Sequence, residues 1–126
     1  MYSCIPISNK VDFLHKKYIH LVLFADSHLG YDFPLHPRIK KRRRGNDFFR
    51  NFKSVLSYAR QYKVDLVIHG GDLFFRNKVP DAIVDKVYQI LTDFAEHNIP
   101  LYIVPGNHER SYLPPSVFLN HRNIYI

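Results

Sequence analysis

Cysteine is almost absent from this chain of 126 residues: Cys4 is the only one, so no internal disulfide can form. A reducing compartment, the cytoplasm, is therefore the predicted location. Long apolar runs are lacking too, and none approaches the ~20 residues that a membrane-spanning helix needs. Residues 1–17 contain no apolar stretch followed by a small-residue cleavage site of the secretory type. We therefore expect no membrane partner.

Linkers and repeats are also missing. No Gly/Ser-rich tract, internal repeat or low-complexity segment interrupts the chain, which predicts a single domain over residues 18–126 after a lead-in of residues 1–17. Hydrophobic residues make up 46% of the sequence, which is enough for a packed core and excludes a disordered chain. Acidic residues are few. Eleven Asp and Glu stand against 18 Lys and Arg, and the net charge of +7 suits an anionic partner such as nucleic acid.

Hydrophobic periodicity predicts an alternation of strands and helices. Four short apolar runs are typical of strands: residues 18–25, 64–69, 101–104 and 123–126. The first run is nearly continuous, which is expected of a strand buried on both faces. Residues 47–62, after a capping Asn46, and the segment that Pro80 opens in its first turn carry apolar residues at helical spacing. Such lengths imply right-handed crossovers, and hence an α/β fold with a βαβαβ parallel sheet and flanking helices.

Polar residues with ligand chemistry follow each of the first three predicted strands. The strands run into residues 26–28 (DSH), 70–72 (GGD) and 106–109 (GNHE). Because the carboxyl ends of parallel strands meet at one edge of a sheet, these groups should converge. Two carboxylates, an amide and imidazoles form a ligand set suited to Mn²⁺, Fe or Zn²⁺ rather than to Ca²⁺.

Each motif alone also has an ordinary structural explanation. An aspartate at a strand end often serves as a turn or cap residue, Gly-Asp is favoured by turn chemistry, and GNHE can be an Asx turn followed by a surface histidine. Their coincidence at three successive strand ends favours the metal site. Three other histidines are predicted to be structural, His20 and His69 within strands and His97 at the end of a helix, where a cation suits the dipole.

The three segments resemble, in order and in position, the first three motifs of the calcineurin-like metallophosphoesterases. Within that superfamily DSHLG at residues 26–30, RGNDFF at 44–49 and GGDLF at 70–74 are most similar to the SbcD-type DNA-repair exonucleases. The resemblance spans residues 18–126 and implies the N-terminal part of a four-layer αββα sandwich. It also implies hydrolysis of phosphodiester bonds in DNA, with two divalent metal ions as cofactors, Mn²⁺ first and Fe or Zn²⁺ next.

The resemblance implies a role for each matched residue. Four residues would hold the metals: Asp26 and His28 the first ion, Asp72 both ions, and Asn107 the second. His108 matches the catalytic histidine that orients the phosphate and protonates the leaving oxygen, and Glu109 stands where an acidic residue supports that histidine by a hydrogen bond. Two adjacent cations would polarise the phosphoryl oxygens and activate water.

The family's later metal-binding histidines have no match among the 126 residues. The family places one histidine and then a Gly-His-x-His segment after the GNHE motif, whereas His121 is the only later histidine here. Its position just ahead of the predicted fourth strand favours a turn or surface role. We therefore expect residues 18–126 to correspond to the N-terminal portion of the catalytic domain. By themselves they should be a poor catalyst with one sheet face exposed.

A basic run lies between the first predicted strand and the first predicted helix. It consists of Lys40, Lys41, Arg42, Arg43 and Arg44. Such a run is usually a solvated loop, but its position beside the proposed metal edge predicts contact with the DNA backbone. Two alternatives remain: a phosphatase or nucleotide phosphodiesterase of the same superfamily, and a non-catalytic nucleic-acid-binding module. The resemblance would add an SbcC-like ATPase partner and a homodimer.

Overall fold

The computed structural model describes residues 18–31, 45–76, 78–107 and 119–126. Six elements alternate there as predicted: β1 (Leu21–Phe24), α1 (Gly45–Gln61), β2 (Leu66–His69), α2 (Asp81–Ala95), β3 (Leu101–Ile103) and β4 (Ile124–Tyr125). The strands form one sheet in the order β1-β2-β3-β4, and every neighbouring pair is parallel. The predicted βαβαβ sheet is confirmed, and the fourth predicted strand is its β4.

Helix α1 follows its predicted apolar spacing but begins earlier than expected. Its buried residues include Phe49, Phe52 and Leu56, which recur on one face. The prediction that Asn46 caps the helix is wrong, because the helix already includes Gly45. Gly45 is buried and Asn46 is exposed, so the helix begins at a buried residue rather than at the polar one.

Helix α2 begins one residue later than predicted. Pro80 is its N-cap, with an extended ψ of 140°, rather than a residue of the first turn. The Pro80 carbonyl accepts from the amides of Ile83 at 2.9 Å and Val84 at 3.2 Å. Asp81 in the first turn suits the positive end of the helix dipole. Neither of the two helices that the structure describes is long and apolar enough to cross a membrane.

Both helices cover the same face of the sheet. Phe52 of α1 packs against Phe24 of β1, and Tyr88 of α2 packs against Phe74. On the other face Leu21 and Leu23 are 49% and 66% exposed. The prediction that the first strand is buried on both faces is therefore wrong for these residues. Successive right-handed crossovers that advance in one direction place α1 and α2 on one side only.

Candidate metal centre

The loops after β1 and β2 run side by side beyond the ends of the strands. Amides of Asp26, His28 and Leu29 donate to carbonyls of residues 71–73 at 2.8–3.0 Å. Leu29 also forms a parallel bridge with Phe74, and both side chains are fully buried. The sheet pairing thus continues past the strands and fixes the two loops against each other.

Left-handed backbone marks the residues that end these strands. Asp26, His28 and Asp72 have φ values of 56°, 45° and 54°. Such a conformation costs non-glycine residues about 1–3 kcal/mol and is tolerated where the surrounding structure determines it. Here the hydrogen bonds between the loops offset that cost. The bend at each residue places its side chain at the carboxyl edge of the sheet.

The three side chains offer a compact set of metal ligands. One ligand atom from each of Asp26, His28 and Asp72 lies within 4.8 Å of the other two. Nε2 of His28 lies 3.8 Å from Oδ1 of Asp26, whose side chain is 70% exposed. Two carboxylates and an imidazole at this spacing suit a divalent ion such as Mn²⁺, Fe²⁺ or Zn²⁺. A cation there would also offset the repulsion between the two carboxylates.

The loop after β3 meets the loop after β2 through glycine. A Cβ built on Gly106 would overlap the Asp72 carboxylate and amide nitrogen, so only glycine allows this approach. Gly71 has a φ of 124°, and a Cβ built on it would lie 3.3 Å from the Gly106 Cα. Asn107 follows directly and is exposed. Its position is beside Asp72 at the same edge.

His69 lies beneath the loop that carries Asp26 and His28. Its side chain is 1% exposed, and its ring meets Phe24 edge-on with centroids 4.8 Å apart. Nε2 of His69 lies 2.8 Å from Oγ of Ser27. The Gly71 amide donates to Nδ1 at 3.4 Å. Nδ1 is therefore the acceptor, and Nε2 carries the hydrogen and donates it to Ser27.

Burial keeps the His69 ring neutral. The pKa of His69 falls from 6.5 to about 4, mainly because burial penalises the charged form. The carboxylates of Asp26 and Asp72 oppose this effect, and His28 adds to it. A neutral ring whose Nε2 is a donor cannot accept the Ser27 proton, so the pair is not an activated nucleophile.

The structure brings together Asp26, His28 and Asp72 of the predicted ligands, with Asn107 in the adjoining loop. His108, Glu109 and the basic run of residues 40–44 lie outside the described residues. His69 lies in β2 and is structural, as the sequence predicts, but its bond to Ser27 was not predicted. The sequence does contain a signal for a role at the site, because His69 directly precedes Gly70, Gly71 and the predicted ligand Asp72. His121 is predicted to have a turn or surface role. Its Nε2 lies 3.1 Å from Oε1 of Glu96, at the opposite edge of the sheet.

A model of the calcineurin-like phosphoesterase family matches residues 19–125. The fold is also shared with a crystal structure of a dimetal phosphatase from Danio rerio. That superposition has a TM-score of 0.54 at 17% identity, and covers 82% of this chain and 34% of the phosphatase. The described sheet thus matches the N-terminal α/β part of a metallophosphoesterase fold.

Curated relatives are DNA repair proteins. This chain is 35% identical over 92 residues to the DNA double-strand break repair protein Mre11 of Methanosarcina mazei, and 36% over 93 residues to that of Methanocaldococcus jannaschii. The alignments cover 72% and 73% of this chain but 14% and 23% of those proteins. The double-strand break repair protein MRE11 of Oryza sativa subsp. indica is 34% identical over 83 residues, which cover 66% of this chain and 11% of that protein.

Proposed function

The chain belongs to the calcineurin-like phosphoesterase family, and from that premise we propose that it is a metal-dependent phosphodiesterase acting on DNA in double-strand break repair. The observation that carries the proposal is the cluster of Asp26, His28 and Asp72, whose ligand atoms lie within 4.8 Å of one another. A bound divalent ion would polarise the phosphoryl oxygens and lower the pKa of water.

Each predicted site residue would then have its own role. Asp26 and His28 would hold one ion, Asp72 would serve both ions, and Asn107 would serve the second from the neighbouring loop. His108 orients the phosphate and donates a proton to the leaving oxygen, and Glu109 orients His108. The mixed oxygen and nitrogen donors suit Mn²⁺, Fe or Zn²⁺, and the family resemblance favours Mn²⁺ first.

DNA is the proposed substrate for two reasons. The relatives described above are named as DNA double-strand break repair proteins. The chain also has a net charge of +7, to which the run of residues 40–44 contributes five positive charges between β1 and α1. We expect these cationic side chains to hold the phosphate backbone without reading its bases. An SbcC-like ATPase and a second copy of the chain are further partners that the family resemblance suggests.

The first experiment tests the reaction. Purified protein with Mn²⁺ is assayed on labelled single- and double-stranded DNA, on a chromogenic phosphodiester and on a chromogenic phosphomonoester. Because the family's later metal-binding histidines have no match among the 126 residues, we expect slow cleavage of DNA and of the diester, and Asp26→Asn should reduce it to the background rate. Asp85→Asn, an exposed aspartate of α2, is the matched control and should keep the wild-type rate. Hydrolysis of the monoester alone would contradict the proposal and indicate a phosphatase.

The second experiment tests the basic run. Replacing residues 40–44 by neutral residues should weaken DNA binding and reduce the slope of log affinity against log salt by about 0.9 for each duplex phosphate that is no longer neutralised. Hydrolysis of the small chromogenic diester should continue. An unchanged salt slope would mean that the run is a solvated loop and that DNA is held elsewhere.

A further inference from the structure

Ser27 links the candidate metal loop to the centre of the sheet. The amides of Asp26 and His28, on either side of it, donate to Gly71 and Asp72 at 2.9 and 3.0 Å. Ser27 itself is bound through its side chain, with Oγ 2.8 Å from Nε2 of His69. Three consecutive residues are thus joined to the β2 side, and the middle one depends on a side-chain hydrogen bond.

His69 is a rigid partner for that bond. Its carbonyl accepts from the Val104 amide at 2.9 Å, which anchors the end of β2 to the β3 side. The buried ring is enclosed by Phe24, at a centroid distance of 4.8 Å, and by Phe52 of α1, at 6.5 Å. With the Gly71 amide donating to Nδ1, the direction of the Nε2 hydrogen is set toward Ser27. The ring therefore cannot turn away without breaking both of its hydrogen bonds.

We propose that Ser27 and His69 are positioning residues that hold Asp26 and His28 in place for metal binding, and so determine the affinity of the site for its divalent ion. This inference rests on the proposed function, because it concerns the same metal. Asp26 and His28 both have left-handed backbone and resist that conformation. A bond at the residue between them restrains both. Without this hydrogen bond the ligand atoms of Asp26 and His28 would occupy a wider range of positions. Metal binding would then have to order them, which lowers the affinity.

The test is a double-mutant cycle read by Mn²⁺ titration in the absence of substrate. Ser27→Ala and His69→Leu should each weaken Mn²⁺ binding by about tenfold, the scale expected when an outer hydrogen bond at a metal site is removed. The double variant should lose little more than His69→Leu alone, because both changes remove the bond between Ser27 and His69. His69→Gln should recover most of the affinity, since its amide can donate to Ser27.

Two controls separate positioning from folding. Ser54→Ala removes an exposed hydroxyl of α1 that donates to the Arg50 carbonyl at 2.9 Å, and should leave Mn²⁺ affinity unchanged. Melting temperatures with EDTA show whether each variant is folded before metal is added. If His69→Leu fails to fold, Ser27→Ala and His69→Gln decide the question. Affinity in Ser27→Ala within about twofold of wild type, well short of the tenfold loss expected when an outer hydrogen bond at a metal site is removed, would overturn the proposal. Losses that multiply to about a hundredfold in the double variant would overturn it too.

These outcomes are distinct from failure of the proposed function. A wild-type protein that binds Mn²⁺ but cleaves neither DNA nor the chromogenic diester overturns the nuclease proposal, while the cycle still tests the two residues. Cleavage by wild type together with unchanged Mn²⁺ affinity in Ser27→Ala overturns the positioning role alone. A wild-type protein that binds no Mn²⁺ overturns both.

Discussion

Residues with left-handed backbone lie at both edges of the sheet, but for different reasons. At the carboxyl edge Asp26, His28 and Asp72 supply candidate metal ligands. At the amino edge Lys63 and Asn98, with φ of 48° and 61°, follow the ends of α1 and α2. The same conformation thus stops a helix at one edge and directs a ligand at the other.

Local hydrogen bonds account for the amino edge. After α1 the Lys63 amide donates to Arg60 and the Val64 amide donates to Ala59, which is the bonding pattern of a Schellman helix end. Any residue that tolerates positive φ can fill the Lys63 position, and glycine does so best. At the carboxyl edge the bonds join separate loops, and the identity of the side chain matters. Glycine there would relieve strain and remove the ligand.

The largest expected effect tests that contrast at Asp72. Asp72→Gly accepts the backbone conformation but removes a shared carboxylate, so Mn²⁺ affinity should fall by about a thousandfold, beyond the tenfold to hundredfold typical of outer-shell changes. Mn²⁺ titration of the variant measures it. Lys63→Gly is the matched control, and its Mn²⁺ affinity should equal that of wild type. Equal losses in the two variants would mean that the carboxyl edge does not bind the ion through Asp72.

The next effect is the pH dependence of stability that His69 causes. The unfolded chain takes up a proton on this ring below pH 6.5, whereas the folded chain does so only at about pH 4. The contribution of the neutral His69 ring to the free energy of unfolding is therefore fully present above pH 6.5. It is lost as the pH falls toward 4, and amounts to about 3 kcal/mol. Urea unfolding of metal-free wild type and His69→Gln over this range measures it. The variant's curve should be flatter by that amount, and parallel curves would contradict the burial effect.

A smaller effect concerns the contact between the loops after β2 and β3. Gly106→Ala would place a methyl group against the Asp72 carboxylate and amide, so the free energy of unfolding should fall by about 2 kcal/mol. Gly70→Ala is the control at the same edge, because its methyl group would meet the Ala25 Cβ at an ordinary 3.5 Å. Chemical denaturation compares the two. Equal stability of both variants would show that the loops separate easily.

The smallest expected effect is at the amino edge. Lys63→Gly removes the strain of a left-handed non-glycine residue and should raise the free energy of unfolding by about 0.5 kcal/mol, after the entropy that glycine adds to the unfolded chain. Chemical denaturation detects this change. A decrease in stability would mean that the Lys63 side chain contributes more to the helix end than its backbone strain removes.

Much of the fold could be predicted from the sequence, because hydrophobic periodicity is local. The runs that became β2 and β3 were predicted within two residues at each end, and both helices kept their apolar faces. The first residue of α1 was predicted too late, because it depends on whether Gly45 packs into the core. The uncovered face of β1 could not be read from its apolar run, since such a run does not say which side the helices will take.

The sequence by itself determined the order of the strands and helices and the residue types at the strand ends. Both follow from local patterns, since hydrophobic periodicity depends on residues close together along the chain. The convergence of Asp26, His28 and Asp72 at one edge followed from that order, but only the tertiary structure decided that their ligand atoms lie within 4.8 Å of one another. It also decided that Ser27 meets His69, 42 positions away, and that Gly106 touches Asp72. Those contacts depend on how two crossover connections pack on one face of a parallel sheet, and no local pattern encodes that packing.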